Sequence, residues 1–357
     1  MRFKLFAAII MVAALLGCNS GKSPANASAG GGTQIVGAGS TFVYPIMGRW
    51  IEAFQQSNGD VKINYQSIGS GGGIQQLKKG VVDFGASDAA LSDDQLKDMP
   101  PMVQLAESAG PVCITYNLPS LQQPLKLSPS TLAGIYLGKI KKWSDPAIAK
   151  DNPGVKLPDA DVVVAHRTES SGTSNIFTTY LDAVSPEWHT KVGKGLSVNW
   201  PAGLGGKGSE GVTGVVKQTE GGIGYVELTY ATQNNLPAAQ IKNAAGKWIT
   251  PSPEATSAAI AAFNDKLSQD VRTPIVNPPA SAADAYPISG FTFLMIPKQP
   301  RDPAKGKALQ NFVSYILSNG QSLAAELHYA RLPNEVQEVD KKILASIGGQ
   351  SSGPGAQ

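Results

Sequence analysis

At 357 residues, with 42% hydrophobic and 16% charged side chains, the chain is long enough for two domains with full cores and too apolar to be disordered throughout. Its 30 Lys and Arg face 27 Asp and Glu, a net charge of +3, so the balance does not ask for nucleic acid and none is expected as a partner.

The first seventeen residues read as an export signal: Arg2 and Lys4 form a positive start, and residues 5–16 an apolar core too short for a comfortable membrane span. Its removal leaves 28 basic against 27 acidic side chains. Leu15-Leu16-Gly17 ahead of Cys18 resembles a bacterial lipoprotein signal, in which Cys18 becomes the lipid-modified first residue of the mature chain. An ordinary secretory signal with an incidental cysteine is the alternative. The other cysteine, Cys113, sits in an apolar run and reads as a small buried hydrophobe; with Cys18 acylated, no internal disulfide can form. Residues 18–32, rich in Gly, Ser, Ala and Asn, read as a flexible tether.

In the body of the chain, residues 34–38 read as a short strand, 44–56 as a helix with Ile46, Trp50, Ile51 and Phe54 on one face, and 61–66 as an alternating strand. A helix over 74–79 and a strand over 82–86 follow. Strands separated by helices imply parallel sheets with crossover connections, whose ligands bind beyond the carboxyl ends of the strands. Further along, 112–116 and 162–166 are strand-like, 203–224 is glycine-rich, 224–227 is a strand and 256–267 a helix. Pro278-Pro279 and Tyr286-Pro287 mark a boundary, after which 291–296 is a strongly apolar strand and 305–318 an amphipathic helix. If that last strand returns to the first sheet, two lobes result, 33–108 with 285–345 and 109–284, joined by two hinge strands; 346–357 reads as a disordered tail.

Three segments of small residues stand at strand-to-helix junctions: G-A-G-S-T-F from Gly37, I-G-S-G-G-G from Ile68 and S-S-G-T-S from Ser170. Each would present hydroxyls and free backbone N–H groups at a helix N-terminus, where the dipole favours an anion. Any one alone reads more readily as a turn, but three converging would cage a small oxyanion. Arg167, four residues before Ser171, offers a planar fork for such an anion, and Glu169 can hold the fork from its other side, unless the two form only a surface pair. Asp88, closing D-F-G-A-S-D, discriminates among anions. A carboxylate in a dehydrated anion pocket repels its ligand unless the ligand has a proton to donate; phosphate at neutral pH has one, and sulfate has none. The other reading of Asp88 is a helix N-cap ahead of Ala89-Ala90-Leu91.

These segments occur in one order with I-Y-L-G-K-I-K-K-W from Ile135, W-P-A-G-L-G-G-K-G from Trp200 and S-G-F-T-F-L from Ser289. Together they resemble the periplasmic phosphate-binding proteins of high-affinity phosphate ABC transporters, over nearly the whole chain after the tether. The resemblance implies an α/β, type II periplasmic binding protein fold: two lobes, each a mainly parallel sheet flanked by helices, closing on phosphate. It assigns phosphate contacts to Ser40, Thr41 and Phe42 (through its backbone N–H, the ring packing), to Ser70, and to Arg167, Ser171, Gly172 and Thr173, with Asp88 accepting the phosphate proton. Glu169 stands where the family has an aspartate orienting the arginine, and its longer arm bears on the position of Arg167. The implied protein is a monomer without cofactor, metal or catalytic residues. It is lipid-anchored at the periplasmic or extracytoplasmic face of a bacterial membrane, with inorganic phosphate and the permease subunits of the transporter as partners.

G-L-G-G-K-G from Gly203 fits the dinucleotide pattern, but it follows Trp200-Pro201 rather than a clean strand and reads as a loop. Neither Ser70 nor Ser171 lies in G-x-S-x-G, and His166, His189 and His328 are too scattered for a metal site. His166 would point away from the face of Arg167. Two other functions compete. One is a secreted phosphatase-like relative, for which no activated nucleophile or metal set is visible; the other is a binding protein for sulfate or molybdate, against which Asp88 speaks.

Overall fold

Residues 32–347 are described by a computed structural model; the leader, Cys18, the tether up to residue 31 and the tail from residue 348 lie outside the described residues. β1 (Thr33–Gly39) leads into α1 (Tyr44–Ser57), which opens on Pro45 and buries Ile46, Met47, Trp50 and Phe54. β2 (Val61–Ser67) alternates buried Val61, Ile63 and Tyr65 with exposed Lys62 and Asn64, as a strand with one face on a core must. α2 (Ser70–Lys78) starts four residues ahead of the helix expected from Ile74. Gly71, Gly72 and Gly73 hide that first turn, because glycine is a poor helix former. Packing calls for two of them: a Cβ on Gly73 would lie 2.4 Å from the Ala38 carbonyl oxygen, and one on Gly71 2.2 Å from Ser170 Oγ. β3 (Phe84–Ser87), a short α3 (Asp93–Lys97) capped by Ser92, and β4 (Met102–Tyr116) follow. β4 is 15 residues long and buried throughout, whereas the sequence marks only its last five, because Gln104, Glu107 and Ser108 interrupt the apolar pattern.

The chain continues through β5 (Lys126–Leu127), α4 (Pro129–Tyr136), α5 (Pro146–Asp151), β6 (Val163–Arg167), α6 (Gly172–Val184) and α7 (Pro186–Lys191). The glycine-rich stretch then folds as β7 (Leu204–Gly206), α8 (Gly208–Gln218) and the start of β8 (Gly222–Glu227). The G-L-G-G-K-G run is therefore a strand and the first residue of a helix rather than a loop. Its glycines let α8 sit directly on β7, where a Cβ on Gly206 would lie 2.5 Å from Val212 N. α9 (Leu228–Gln233), β9 (Gln240–Lys242), β10 (Trp248–Ile249), α10 (Pro253–Ala261) and α11 (Asn264–Leu267) come next. The single helix expected over 256–267 is thus two, broken at Phe263, which has φ −121° and ψ 12°. β11 (Ser289–Pro297), α12 (Pro303–Ile316) and α13 (Asn334–Ala345) complete the order. Just past α13, Ile347 is buried and its carbonyl accepts from Gln310 Nε2 at 2.8 Å.

Eight strands form one sheet in the order β2-β1-β3-β11-β4-β8-β6-β7. β1 runs parallel to β2 and β3, and β6 parallel to β7 and β8, while β11 and β4 are antiparallel to their neighbours. The last long strand does return: β11 inserts between β3 and β4. β4 serves both halves of the sheet, pairing with β11 over its first part and with β8 from Val112 to Tyr116. The β4–β11 register shifts between Thr292 and Phe293, and Glu107 is the extra residue of this β-bulge. The fold is α/β on a mixed sheet.

Each half has its own aromatic filling. Phe54 meets Phe312 edge-on with ring centroids 5.2 Å apart, and across the molecule Phe177 stacks on Tyr225 at 4.6 Å. Cys113 is buried against Val212 and Val226, and burial pushes its thiol far up, so it behaves as the expected small hydrophobe.

Candidate functional site

The three small-residue segments meet beyond the ends of β1, β2 and β6, next to the end of β3. Ser40, Thr41 and Phe42 follow β1, Ser70 is the first residue of α2, and Ser171 caps α6 by accepting from Ser174 N at 3.1 Å. Asp88 follows β3 directly. It is not an N-cap, since Ala89, Ala90 and Leu91 are not helical and the cap of α3 is Ser92.

Asp88 is 4% exposed and surrounded by hydroxyls. Ser40 Oγ donates to its Oδ1, Thr292 Oγ1 donates to the same oxygen at 2.8 Å, and Thr173 Oγ1 donates to Oδ2 at 3.3 Å. Burial raises its carboxyl to about 6, with the hydroxyls and the nearby Arg167 charge pulling the other way. The carboxylate therefore predominates at neutral pH, as an acceptor without a cation directly on it.

Arg167 ends β6 with its side chain buried. Its Nε donates to Glu169 Oε1 at 2.8 Å, Nη2 donates to the same oxygen, and Nη1 donates to Thr173 Oγ1 at 3.3 Å. Glu169 grips one edge of the guanidinium and leaves Nη1 turned toward Thr173 and Asp88. A third donor, Gly208 N at the start of α8, bonds the same Oε1 at 3.1 Å. Burial alone would raise the Glu169 carboxyl, but the hydrogen bonds and charge of Arg167 outweigh it and hold it below the usual range. Tyr225 fixes the strand end, its hydroxyl accepting from Arg167 N at 3.1 Å and lying 2.7 Å from Ser174 Oγ.

The remaining contacts tie the two halves together. Ser70 Oγ accepts from Gly172 N at 3.1 Å and from Asp88 N at 3.2 Å. Only glycine fits at 172, because a Cβ there would lie 2.5 Å from Ser70 Oγ and 2.6 Å from Asp88 Cβ. Thr41 Oγ1 lies 2.8 Å from Ser209 Oγ, and Tyr230 OH donates to the Thr41 carbonyl at 2.6 Å. Phe42 N donates to Ser40 Oγ at 3.0 Å, while its ring packs edge-on against Tyr329 with centroids 5.9 Å apart. All of Ser40, Thr41, Phe42, Ser70, Asp88, Arg167, Ser171, Gly172 and Thr173 are buried. His166 turns away and stacks on Trp200 at 5.2 Å.

Sequence reasoning missed Thr292, Ser209 and Tyr230. A signal existed for two of them. Thr292 is the one hydroxyl between Phe291 and Phe293 in an apolar strand, and a buried hydroxyl needs a partner. Gly208-Ser209 opens α8 after β7 just as the other small-residue segments open helices after strands.

A sequence model described as PBP superfamily domain matches residues 24–320. The phosphate-binding protein PstS of Xylella fastidiosa (strain Temecula1) is 43% identical over 320 residues, covering 89% of this chain and 87% of that protein. The solved structure of PfluDING, a high-affinity periplasmic phosphate-binding protein with phosphate bound, matches with a TM-score of 0.71 at 21% identity, over 87% of this chain and 93% of that one. An ABC-type phosphate transport receptor from Vibrio cholerae matches at 0.52 and 19% identity, over 84% and 100%. At these identities the structural matches concern the fold.

Proposed function

The chain belongs to the PstS family of phosphate-binding proteins within the PBP superfamily, and from that membership we propose that it binds inorganic phosphate at the Asp88–Arg167 cluster and delivers it to an ABC transporter for import. The observation that carries the site assignment is Asp88: a buried carboxylate, one hydroxyl away from Nη1 of Arg167, within a ring of neutral donors.

Thr173 Oγ1 bridges Nη1 and Oδ2 at 3.3 Å from each. A phosphate entering there accepts from Nη1 and from Thr173, and its own O–H donates a hydrogen bond to Oδ2. The hydroxyls of Ser70, Ser171 and Thr41 supply further donors, and the backbone N–H groups of Phe42 and Gly172 join them by exchanging Ser40 Oγ and Ser70 Oγ for the anion, at the N-termini of α2 and α6. Sulfate has no proton for Oδ2, so the buried acceptor would stay unpaired against a second anion. Sites built this way reject the analogue lacking the donor by about 10⁴ to 10⁵.

The site opens and closes by hinging of 33–108 with 285–345 against 109–284, on β4 and β11. Binding and release, not turnover, is the role, and no catalytic residue is assigned. The protein acts as a monomer at the extracytoplasmic face, held by lipid on Cys18. Calorimetric titration of the phosphate-stripped protein with phosphate and then sulfate at neutral pH tests the reading. Tight one-to-one phosphate binding without sulfate heat is expected. Comparable binding of both anions would remove Asp88 as the selector, and binding of neither, or hydrolysis of phosphate esters, would overturn the transport role.

A further inference from the structure

Asp88 can select a protonated anion only while its carboxylate is held as an acceptor with one oxygen facing the ligand. Two hydroxyls occupy the other oxygen, from Ser40 and Thr292. Ser40 has other duties, since its Oγ also accepts from Phe42 N at 3.0 Å and from Val43 N at 3.4 Å, which shapes the first anion loop. Thr292 is different. Its side chain is fully buried on β11, and its hydroxyl donates to Asp88 Oδ1 at 2.8 Å. It also sits where the register of β11 against β4 shifts, on a strand that touches the first-half β3 and runs beside the shared β4.

We infer that Thr292 is a specificity-determining positioning residue, which fixes the Asp88 carboxylate from the hinge strand so that Oδ2 faces the ligand as a proton acceptor. The inference rests on the phosphate reading above. The groups around Asp88 do not replace its donation. Arg167, from β6, favours the carboxylate but is committed to Glu169 and Thr173. Tyr65, from β2, donates its hydroxyl to the Ser40 carbonyl at 2.9 Å. Glu107, the bulge residue of β4, is fully buried and its charged form would repel Asp88. Loss of the Thr292 hydroxyl therefore removes stabilisation from the charged form of Asp88, which then takes up a proton at higher pH. A protonated Asp88 donates instead of accepting and no longer turns sulfate away.

Valine has nearly the shape of threonine and suits a strand, so Thr292→Val isolates the hydroxyl. Phosphate and sulfate affinities measured by competition from pH 5 to 8.5 in the wild type, Thr292→Val and Thr292→Ser provide the test. In Thr292→Val the phosphate-over-sulfate ratio at pH 7.5 is expected to fall about tenfold, as for loss of one hydrogen bond to a charged group. The pH at which the ratio declines is expected to rise by roughly one unit, and Thr292→Ser is expected to restore both. An unchanged ratio and profile in Thr292→Val would overturn the inference; so would equal weakening of both anions with an unmoved profile, which marks a merely structural role. If Thr292→Val does not fold, Thr292→Ala is read by the same criteria. Failure of the wild type to bind phosphate would instead sink the underlying functional reading, and the first arm of the experiment shows it separately.

Discussion

Replacing Asp88 with Asn keeps the side-chain shape and removes a charge that is 4% exposed. In the wild type, an anion with no proton to give meets two costs there. Two unit charges about 4 Å apart repel by about 4 kcal/mol at an effective dielectric constant near 20. The buried acceptor also forgoes a hydrogen bond to a charged group, a further ~1.5–3 kcal/mol. Together these amount to about 5.5–7 kcal/mol, or about four to five powers of ten in favour of phosphate. In Asp88→Asn, Ser40 and Thr292 both donate toward the position of Oδ1, so the amide oxygen belongs there and the amide nitrogen turns toward Thr173 and the ligand. That nitrogen donates to an anionic oxygen of phosphate and sulfate alike. The preference is therefore expected to collapse to about tenfold or less, while phosphate affinity itself falls by only about tenfold to a hundredfold. Competition of sulfate against labelled phosphate at pH 7.5 reads the ratio directly. A preference within tenfold of the wild-type value would refute the reasoning, because the Asp88 charge would then not be what tells the anions apart.

Arg167→Ala is expected to weaken phosphate binding by about 2–5 kcal/mol, with the change in the dissociation rate, since the guanidinium is buried and not at a rim; stopped-flow traces showing only a slower association would contradict that placement. Gly172→Ala puts a Cβ 2.5 Å from Ser70 Oγ, so the contact between the halves should be weakened by about 1–3 kcal/mol, visible as an open form in small-angle scattering and as lost phosphate affinity. Normal affinity in that variant would show that Ser70 and Gly172 need not touch. Burial raises the Glu227 carboxyl from 4.5 to about 8, so the native state binds more protons than the unfolded chain between those values; the stability this confers is complete below pH 4.5 and is lost as pH rises through 8. Glu227→Gln should therefore raise unfolding free energy at pH 8.5 by about 1–3 kcal/mol and change it little at pH 4.5, and denaturant unfolding that shows no pH-dependent gain would contradict this.

What the sequence made legible is what is local. Ser40, Ser70 and Ser171 lie at strand ends whose neighbours announce them, and the Arg167–Glu169 pair is two residues apart. The features that stayed hidden depend on distant partners. Gly71 and Gly73 stand in the first turn of α2 because Ser170 and Ala38 crowd them, and no propensity scale contains that information. The polar interior of β4 masks the strand until its partners are known: Gln104 exchanges hydrogen bonds with the backbone of Leu91, 2.7 Å from its N–H and 3.0 Å to its carbonyl. Thr292 meets Asp88 across a separation of 204 residues. The α8 start was hidden in a run of glycines for which the reasons differ: packing against α8 at Gly206, and positive φ of 115° and 71° at Gly203 and Gly208.

A ring whose nine members are all buried admits nothing from solvent without coming apart. Ser70 to Gly172, Asp88 to Thr173 and Thr41 to Ser209 all have to separate before an anion can pass. If phosphate binds within this ring as proposed, loading is a gated event: its rate climbs with phosphate concentration only until it equals the rate at which the ring opens, and beyond that it levels off. The same gate stands between a captured anion and the surrounding fluid. On the proposed reading, an anion once enclosed stays until these same contacts separate again.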